Sequence, residues 1–278
     1  MTPVRAITLG LVQGLTEWLP ISSTAHLKIV PELLGWPEPG AAFSAVIQWG
    51  TLLAALLYFR HDIGCILWHW TAGLASLRPF ASPEARLGWM ILVGTVPIVV
   101  LGLLGKEAIE TVLRRTEVIA TALIAGGLLL YAAEYHYSRI AQPTTLETIT
   151  WTQGLLIGVM QALALIPGAS RSGVTITGGL FVGVAREAAA RYSFLLSFPA
   201  IFAAGLYQLI KARHELFAAE DGALNLILAT IISSVVGYVT IPFLLGIVKR
   251  HSTAIFIGYR LMMGLALFYF LYIGLVKS

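Results

Sequence analysis

Residues 13–26 read QGLTEWLPISSTAH and lie within an apolar segment, 6–34, that is interrupted at Pro20. A second interrupted segment, 152–185, contains PGASRSGVT at 167–175. Proline lacks the amide donor that a helix interior needs, so each segment divides into two half-length helices. Apolar runs of about 10–14 residues are too short to cross a bilayer but suit a chain that enters and returns. We therefore predict two re-entrant helical hairpins, with a kinked spanning helix as the alternative for each.

The rest of the chain is dominated by long uncharged stretches. Charged residues make up 12% of the 278 residues, against about 25% in soluble domains, and 58% are hydrophobic. A helix crosses the hydrocarbon core with about 20 apolar residues, and each stretch can reach that length, the shortest with the help of its flanks. The predicted fold is therefore an all-α integral membrane protein with six spanning helices and two hairpins. The six stretches are 39–59, 87–105, 118–133, 192–210, 222–248 and 252–276, the last interrupted by Arg260.

The formal net charge of +4 would by itself permit binding to nucleic acid. The basic residues are instead scattered through short loops and form no cluster on one face, so we expect no nucleic-acid partner. The predicted topology divides these loop residues equally between the two sides of the membrane. The positive-inside rule therefore does not orient the chain.

An internal repeat relates the two interrupted segments. Identical residues recur at an offset of 148 (158 − 10), and the polar pairs carry most weight because apolar matches arise by chance. Each half, about 1–140 and about 150–278, then contains one hairpin followed by three spans, within a single membrane domain over 1–278. A hairpin returns to its own side whereas three spans change sides, so we predict two inverted repeats, in which sites form near the midplane. The pairs are Gly10 with Gly158, Gln13 with Gln161, Leu15 with Leu163 and Ser22 with Ser170.

Four ionisable residues fall well inside the apolar segments: Glu17, His26, Arg171 and Arg260. A charge at the bilayer centre costs at least about 2.5–3.5 kcal/mol on insertion scales, so such residues usually face a partner or a water-filled cavity. An acid, an imidazole and two guanidinium groups are complementary in charge. We therefore predict that they share one polar cavity where the repeats meet. The alternative is a buried ion pair that only holds the hairpins together.

The first motif combines groups that bind a cation with groups that bind an anion. Gln13 and Glu17 are four residues apart, so on a helix they share a face and can offer oxygen ligands to one hard cation. The run Ser-Ser-Thr at 22–24 lies at an expected helix start, where unpaired N–H groups and the helix dipole favour an anion. Its two serines precede His26 by four and three residues, so either hydroxyl could meet the imidazole. A simple N-cap is the alternative for these serines.

The second motif has the same organisation, a break followed by a serine-rich helix start. A Pro-Gly break at 167–168 leads into Ser170, Arg171 and Ser172, another expected serine-capped helix start. A guanidinium group can bind two phosphate oxygens at once. Two helix N-termini, hydroxyls, an arginine and a carboxylate that can bind metal together indicate phosphoryl transfer, in which catalysis is mainly positioning and charge neutralisation.

Taken together, the two motifs resemble the signature segments of the bacterial undecaprenyl pyrophosphate phosphatase family, which is known for bacitracin resistance. Residues 13–26 match its (Glu/Gln)-x-x-x-Glu element followed by Pro-x-Ser-Ser-Thr-x-His, and 167–175 match its Pro-Gly-x-Ser-Arg-Ser-x-x-Thr element. The resemblance covers the whole chain and includes FSAVIQWGT at 43–51 and YSFLLSFP at 192–199. This chain has Gln13, the less acidic option, at the first position of the acidic element. Where the family often has glycine it has Ala25, and its last arginine, in the triplet Gly-Tyr-Arg, is similar to a family arginine that faces the site.

The resemblance implies an undecaprenyl-diphosphate phosphatase. Such an enzyme hydrolyses a C55 isoprenyl diphosphate to the monophosphate plus phosphate, and so recycles the lipid carrier of cell-wall synthesis. It also implies dependence on a divalent metal, Mg²⁺ or Ca²⁺, and a place in the bacterial cell (inner) membrane with the site open to the periplasmic or external side. The expected partners are that lipid substrate and membrane lipid. The oligomeric state, including a homodimer, is left open.

Carried onto this sequence, the resemblance assigns roles to particular residues. Glu17 would be a metal ligand or base, with Gln13 beside it on the metal. Ser23 would be the nucleophile and His26 a proton-transfer partner, and Arg171 would act in catalysis by holding the diphosphate. The other expected substrate-binding residues are Ser22, Thr24, Ser170, Ser172, Thr175 and Arg260.

Two alternatives stay open from the sequence. Attack by Ser23, activated by Glu17 or His26, competes with direct attack by water. An anion or lipid-phosphate transporter, or a flippase, would also use broken helices in inverted repeats but would need only the phosphate-binding residues and a route through. The acid, hydroxyl and imidazole within one hairpin favour the enzyme. A membrane scaffold would leave the buried ionisable residues unexplained.

Overall fold

The computed structural model describes residues 1–217 and 222–276, and its regular structure is helical. Across these two ranges there is no strand, only an isolated bridge between Thr144 and Val184. Two short 3₁₀ segments, Val112–Arg114 and Ala162–Leu165, adjoin α-helices. The α-helices are α1 (Pro3–Thr16), α2 (Ser23–Leu33), α3 (Gly40–Tyr58), α4 (Arg60–Ala75), α5 (Pro83–Leu104), α6 (Lys106–Glu110), α7 (Thr116–Tyr137), α8 (Trp151–Gln161), α9 (Arg171–Phe181), α10 (Arg186–Lys211), α11 (Arg213–Phe217), α12 (Gly222–Arg250) and α13 (Ala254–Tyr272).

Among the described residues, six helices are long and apolar enough to cross a membrane: α3, α5, α7, α10, α12 and α13. Each coincides with one of the six uncharged stretches, so the prediction of six spanning helices in an all-α membrane protein is confirmed. Their buried faces pack on one another, while large apolar side chains such as Leu104 and Val235 point outwards, as expected where lipid is the solvent.

Three helices, α4, α6 and α11, were not predicted. The longest, α4, begins with Arg60, His61 and Asp62. Because of these polar residues, α4 does not form a long uncharged stretch in the sequence. It buries little of its surface, since only Ile66 and Gly73 are buried. Trp68 on this helix is 72% exposed, and tryptophan is enriched at membrane interfaces.

Both interrupted segments are antiparallel hairpins. In the first, the Arg5 guanidinium near the start of α1 lies 5.3 Å from the ring centre of Trp36, just after the end of α2. In the second, Gln153 Nε2 near the start of α8 donates to the Val182 carbonyl at the end of α9 (2.8 Å). Each chain segment therefore returns to the end at which it began, and neither is a kinked spanning helix.

Each hairpin packs closely against a spanning helix of the other half. A Cβ atom on Gly158 of α8 would lie 2.4 Å from Gly94 Cα in α5, and one on Gly10 of α1 would lie 2.6 Å from the Ala229 carbonyl in α12. The two glycines are partners in the predicted repeat, and each allows close helix packing, which small residues favour in membranes. The inverted orientation of the halves stays a prediction. Residues 218–221 and 277–278 of the second half lie outside the described residues.

We expect Gly158→Ala to lower the free energy of unfolding by about 1–3 kcal/mol, because α5 must move to accept the added methyl group. The measurement is the melting temperature of the purified protein in detergent. Gly246→Ala is the matched control, since a Cβ atom at Gly246 in α12 would meet nothing within 4 Å. Equal melting temperatures for the two variants would contradict the close contact of α8 with α5.

Candidate active site

The two hairpin breaks end in serines with the same unusual backbone. Ser22, the N-cap of α2, has φ 73°, and Ser170, the N-cap of α9, has φ 67°. Their side chains accept hydrogen bonds from Ala25 N (3.4 Å) and Gly173 N (3.1 Å). A non-glycine residue in this region costs about 1–3 kcal/mol and persists only where the surroundings enforce it, often at functional sites. The two predicted helix starts therefore share one structural feature, a serine N-cap with a positive φ. These two serines are also partners in the predicted repeat.

Glu17 connects the two hairpins. Its Oε1 accepts from Arg171 Nη2 (2.7 Å), which belongs to the second hairpin. Its Oε2 accepts from Gln13 Nε2 (2.8 Å) and from the Ser23 hydroxyl (2.6 Å) on either side of the first break. The acid and the arginine that the sequence placed in one cavity are thus in direct contact.

The ion pair is buried but retains free hydrogen-bonding capacity. The Glu17 and Arg171 side chains are 4% and 12% exposed. The Arg171 guanidinium lies 5.6 Å from the ring centre of the fully buried Trp18, which limits its movement. Within the described residues, Arg171 Nη1 and Gln13 Oε1 are buried without a hydrogen-bond partner. Such groups are costly unless a ligand or water completes them, so these two atoms are candidates for contact with a ligand.

The other predicted hydroxyls fall into two groups. Ser172 Oγ donates to the Leu19 carbonyl (3.0 Å) and so joins the second hairpin to the first. Thr24 is exposed, and its hydroxyl contacts Ser22 Oγ (3.0 Å) and accepts from Gly168 N (3.5 Å). Thr175, in contrast, is fully buried: its hydroxyl donates to the Arg171 carbonyl (2.7 Å) and contacts Ser193 Oγ (2.6 Å). Thr175 therefore supports the start of α9 from inside the protein.

His26 has partners that its sequence spacing did not indicate. Its Nδ1 lies 2.7 Å from the Ser22 carbonyl oxygen, and its Nε2 lies 2.6 Å from the hydroxyl of Tyr259. A carbonyl oxygen only accepts, so Nδ1 donates to Ser22. In the neutral imidazole, Nε2 then accepts from the Tyr259 hydroxyl. The imidazole thus contacts the serine backbone, where spacing had suggested a serine hydroxyl. No local pattern could reveal Tyr259, because it lies 233 residues further along the chain.

Arg260 is completely buried and donates only to backbone. Its Nε and Nη2 donate to the Leu123 (3.2 Å) and Ala122 (3.1 Å) carbonyls of α7. Its Nη1 donates to the Pro20 carbonyl and its Nη2 also to the Gly168 carbonyl, both at 3.2 Å. The sequence placed Arg260 among substrate-binding residues. The structure brings it to the hairpin breaks, as expected for a shared site, but its guanidinium is buried among backbone carbonyls.

The chemistry of the donors fits a hard divalent cation. Gln13 Oε1 is an unpartnered buried oxygen on the residue that contacts the Glu17 carboxylate. Mg²⁺ is commonly held by one or two carboxylates together with substrate phosphates, so a single acid is sufficient in principle. No group of three His, Cys, Asp or Glu side chains suited to a metal occurs in the part of the chain that the structure describes. A metal here would therefore depend on oxygens of the substrate.

Known proteins resemble the chain over its full length. It is 56% identical over 278 residues to a protein of Chlorobium phaeovibrioides named undecaprenyl-diphosphatase, covering 99% of each chain. It is 52% identical over 282 residues to a protein of the same name from Chloroherpeton thalassium, covering 100% of each. A third relative of that name, from Chlorobium phaeobacteroides, is 55% identical over 271 residues and 96% of each chain.

A sequence model of one family matches residues 6–266, a range that contains both hairpins and the six spanning helices almost entirely. The family is described as bacitracin resistance protein BacA. This agrees with the resemblance that the two motifs carry. The chain belongs to the bacitracin resistance protein BacA family.

Proposed function

We propose that this protein is a membrane phosphatase that hydrolyses undecaprenyl diphosphate to undecaprenyl phosphate and phosphate. One observation carries the proposal: Glu17 contacts both the Ser23 hydroxyl and the guanidinium of Arg171, and so brings a base, a nucleophile and a phosphate ligand together. The printed name of the relatives, undecaprenyl-diphosphatase, supports the same substrate and reaction. The hydrolysis would recycle the lipid carrier of cell-wall synthesis.

The charge of the site suits a diphosphate. The charge of Arg171 is balanced by Glu17, whereas Arg260 has no salt bridge in the described ranges and adds a positive charge to the hairpin breaks. The N-termini of α2 and α9 start at the same breaks, and their unpaired N–H groups favour an anion. The free Nη1 of Arg171 would donate to a phosphate oxygen.

The mechanism that the contacts favour begins at Ser23. Its hydroxyl donates to Glu17 Oε2, so Glu17 accepts the proton as the Ser23 oxygen attacks the terminal phosphorus. The bond to the bridging oxygen breaks, and undecaprenyl phosphate leaves as a stable anion that needs no proton. Glu17 then releases this proton to solvent. Water attacks the phosphoserine and gives a proton to Glu17, which passes it to the Ser23 oxygen as phosphate leaves. Both ring nitrogens of His26 contact other groups, the Ser22 carbonyl and the Tyr259 hydroxyl, which favours Glu17 over His26 as the base for this step.

Direct attack by water on the lipid diphosphate is the competing mechanism. Rapid quenching in acid during turnover, followed by peptide mass spectrometry, separates the two. Serine attack predicts a phosphate on Ser23 that is absent in Ser23→Ala. Turnover with no phosphoserine at any quench time would favour water and would leave Ser23 as a positioning hydroxyl.

We expect Tyr259→Phe to reduce kcat roughly three- to tenfold, which corresponds to the net value of one hydrogen bond, about 0.5–1.5 kcal/mol. The change leaves Nε2 of His26 without a donor, so the imidazole that holds the Ser22 carbonyl is less well oriented. Tyr269→Phe is the control, because Tyr269 lies on the same helix and is exposed. A Tyr259→Phe enzyme with unchanged kcat would remove His26 and Tyr259 from the catalytic arrangement.

The proposed cofactor is Mg²⁺ or Ca²⁺, held by Glu17 and Gln13 together with phosphate oxygens of the substrate. When bound, the metal would neutralise charge that develops on the phosphate. The bacterial inner membrane, with the site open to the periplasmic or external side, is the proposed location. A homodimer stays a prediction. The transporter alternative has no support from the family or the relatives' names, and the Ser23–Glu17 contact has no role in it.

The direct test reconstitutes the purified protein in lipid with undecaprenyl diphosphate and divalent metal and follows phosphate release. Release that ends on chelation by EDTA and returns with added metal would support both the reaction and the cofactor. Release that is unaffected by EDTA would contradict the metal, and no release at all from folded protein would contradict the proposed function.

A further inference from the structure

Arg260 links equivalent points of the two hairpins. Its guanidinium binds the carbonyls of Pro20 and Gly168, which are separated by the same 148 residues (168 − 20) that relate the two motifs. Each carbonyl lies two residues before a serine N-cap, Ser22 or Ser170. One side chain from α13 therefore holds the same position of both breaks at once.

The physical reason lies in the breaks themselves. Where a helix is interrupted, its carbonyl oxygens lose their helical N–H partners, and the membrane interior offers no water to replace them. An unsatisfied buried carbonyl costs about 1–3 kcal/mol on mutational scales, so each break needs a donor. Arginine has five N–H groups and lysine three, and Arg260 donates to four carbonyls of three segments.

The backbone of two glycines lies close against the guanidinium. A Cβ atom on Gly126 of α7 would lie 2.0 Å from Arg260 Nη2, and one on Gly173 of α9 would lie 2.6 Å from Nη1. A side chain at either position would therefore force the guanidinium to shift. Such an enclosed site differs from that of Arg171, which keeps one nitrogen without a partner in the described structure.

We propose that Arg260 is a positioning residue that fastens the two hairpin breaks to each other and to α7. This junction sets the distance from Ser23 and Glu17, on the first hairpin, to Arg171 on the second. The inference rests on the proposed phosphatase function and refines it, because it assigns Arg260 to the alignment of the catalytic groups and removes it from the direct ligands of the phosphate.

The test uses Gly126→Ala, which leaves Arg260 and every catalytic residue in place but displaces the guanidinium. We expect kcat per folded molecule to fall about 100-fold, as misplacements of about 1 Å can cause, with KM changed less than about tenfold because each helix N-terminus still faces the diphosphate. Gly258→Ala is the control: it lies on α13 two residues from Arg260, and its Cβ would meet nothing within 4 Å. Its activity should equal that of the wild type.

A double mutant shows whether Gly126 acts through Arg260. Arg260→Met removes the nitrogens that the added methyl group would strike, so Gly126→Ala should lower kcat by less than about twofold in that background. A further 100-fold loss would overturn the proposal, as would full activity of Gly126→Ala in the wild-type background.

If Gly126→Ala does not fold, Arg260→Lys is the variant to test. A higher KM with unchanged kcat would make Arg260 a phosphate ligand and overturn the proposal, whereas a lower kcat supports it.

The melting temperatures of the wild type, the two single mutants Gly126→Ala and Arg260→Met, and their double mutant test the contact between Gly126 and Arg260 without any measurement of activity. We expect the effects of Gly126→Ala and Arg260→Met on melting temperature to be strongly non-additive, and additive effects would overturn the proposal. A folded wild-type protein that releases no phosphate would instead contradict the proposed function, and the melting temperatures alone would then decide whether Arg260 fastens the hairpins.

Discussion

Glu17→Gln is expected to lower kcat for phosphate release by at least about 10³-fold, within the range that removal of a catalytic base produces. The two carboxylate oxygens accept hydrogen bonds from Ser23, Gln13 and Arg171. A carboxamide has one oxygen and one NH₂ group, so in either orientation it turns a donor towards another donor. The variant therefore loses the proton acceptor for Ser23 and misaligns the groups around it, although its shape is unchanged.

The loss should be specific to this acid. Glu147→Gln removes an exposed carboxylate outside the hairpins and should keep the wild-type kcat. The measurement is the initial rate of phosphate release from undecaprenyl diphosphate in detergent or lipid at saturating substrate. A Glu17→Gln protein that keeps more than about a tenth of the wild-type rate would show that Glu17 is not the base.

The second large effect concerns Arg171. We expect Arg171→Met to reduce kcat/KM by at least about 10³-fold, because it removes the phosphate ligand and the charge that faces the developing anion. It should also lower the free energy of unfolding by about 3–5 kcal/mol, since it leaves the nearly buried carboxylate of Glu17 without its cation. Activity and melting temperature therefore fall together in this variant.

The double mutant Glu17→Gln/Arg171→Met separates the two effects. With the buried charge removed from both sides, most of the lost stability should return, because a neutral pair carries no unpaired charge into the protein interior. Activity should stay as low as in the single mutants. A double mutant whose melting temperature falls by the sum of the two single shifts would contradict an energetically coupled ion pair.

The sequence alone predicted the membrane architecture well, and the reason is the solvent. Lipid demands long uncharged helices, so the stretches 39–59 and 222–248 stand out without any knowledge of tertiary contacts. Because charge is costly in lipid, a charged residue inside an apolar segment indicates a functional or structural role, and Glu17 and Arg171 are two such residues. The helix α4 was not predicted, because its first turn is polar and little of its surface is buried, so its sequence is not a long uncharged stretch.

Local spacing also predicted the serine caps at Ser22 and Ser170, since a proline break followed by hydroxyl residues favours a new helix start whatever surrounds it. Spacing was misleading for His26. Residues three or four apart on a helix are close, but the imidazole turns to the Ser22 carbonyl and to Tyr259, which only the packing of α13 brings near.

What the sequence determined by itself was the set of membrane helices, the two interrupted hairpins and the identity of the buried polar residues, because each of these follows from the cost of polarity in lipid. What only the tertiary structure decided was which of those residues touch. Arg171 reaches Glu17 across 154 residues of chain, and Arg260 reaches Pro20 across 240. Such contacts depend on how the helices pack, and packing is set by shape and close approach at positions such as Gly126 and Gly158, which no periodicity or spacing records.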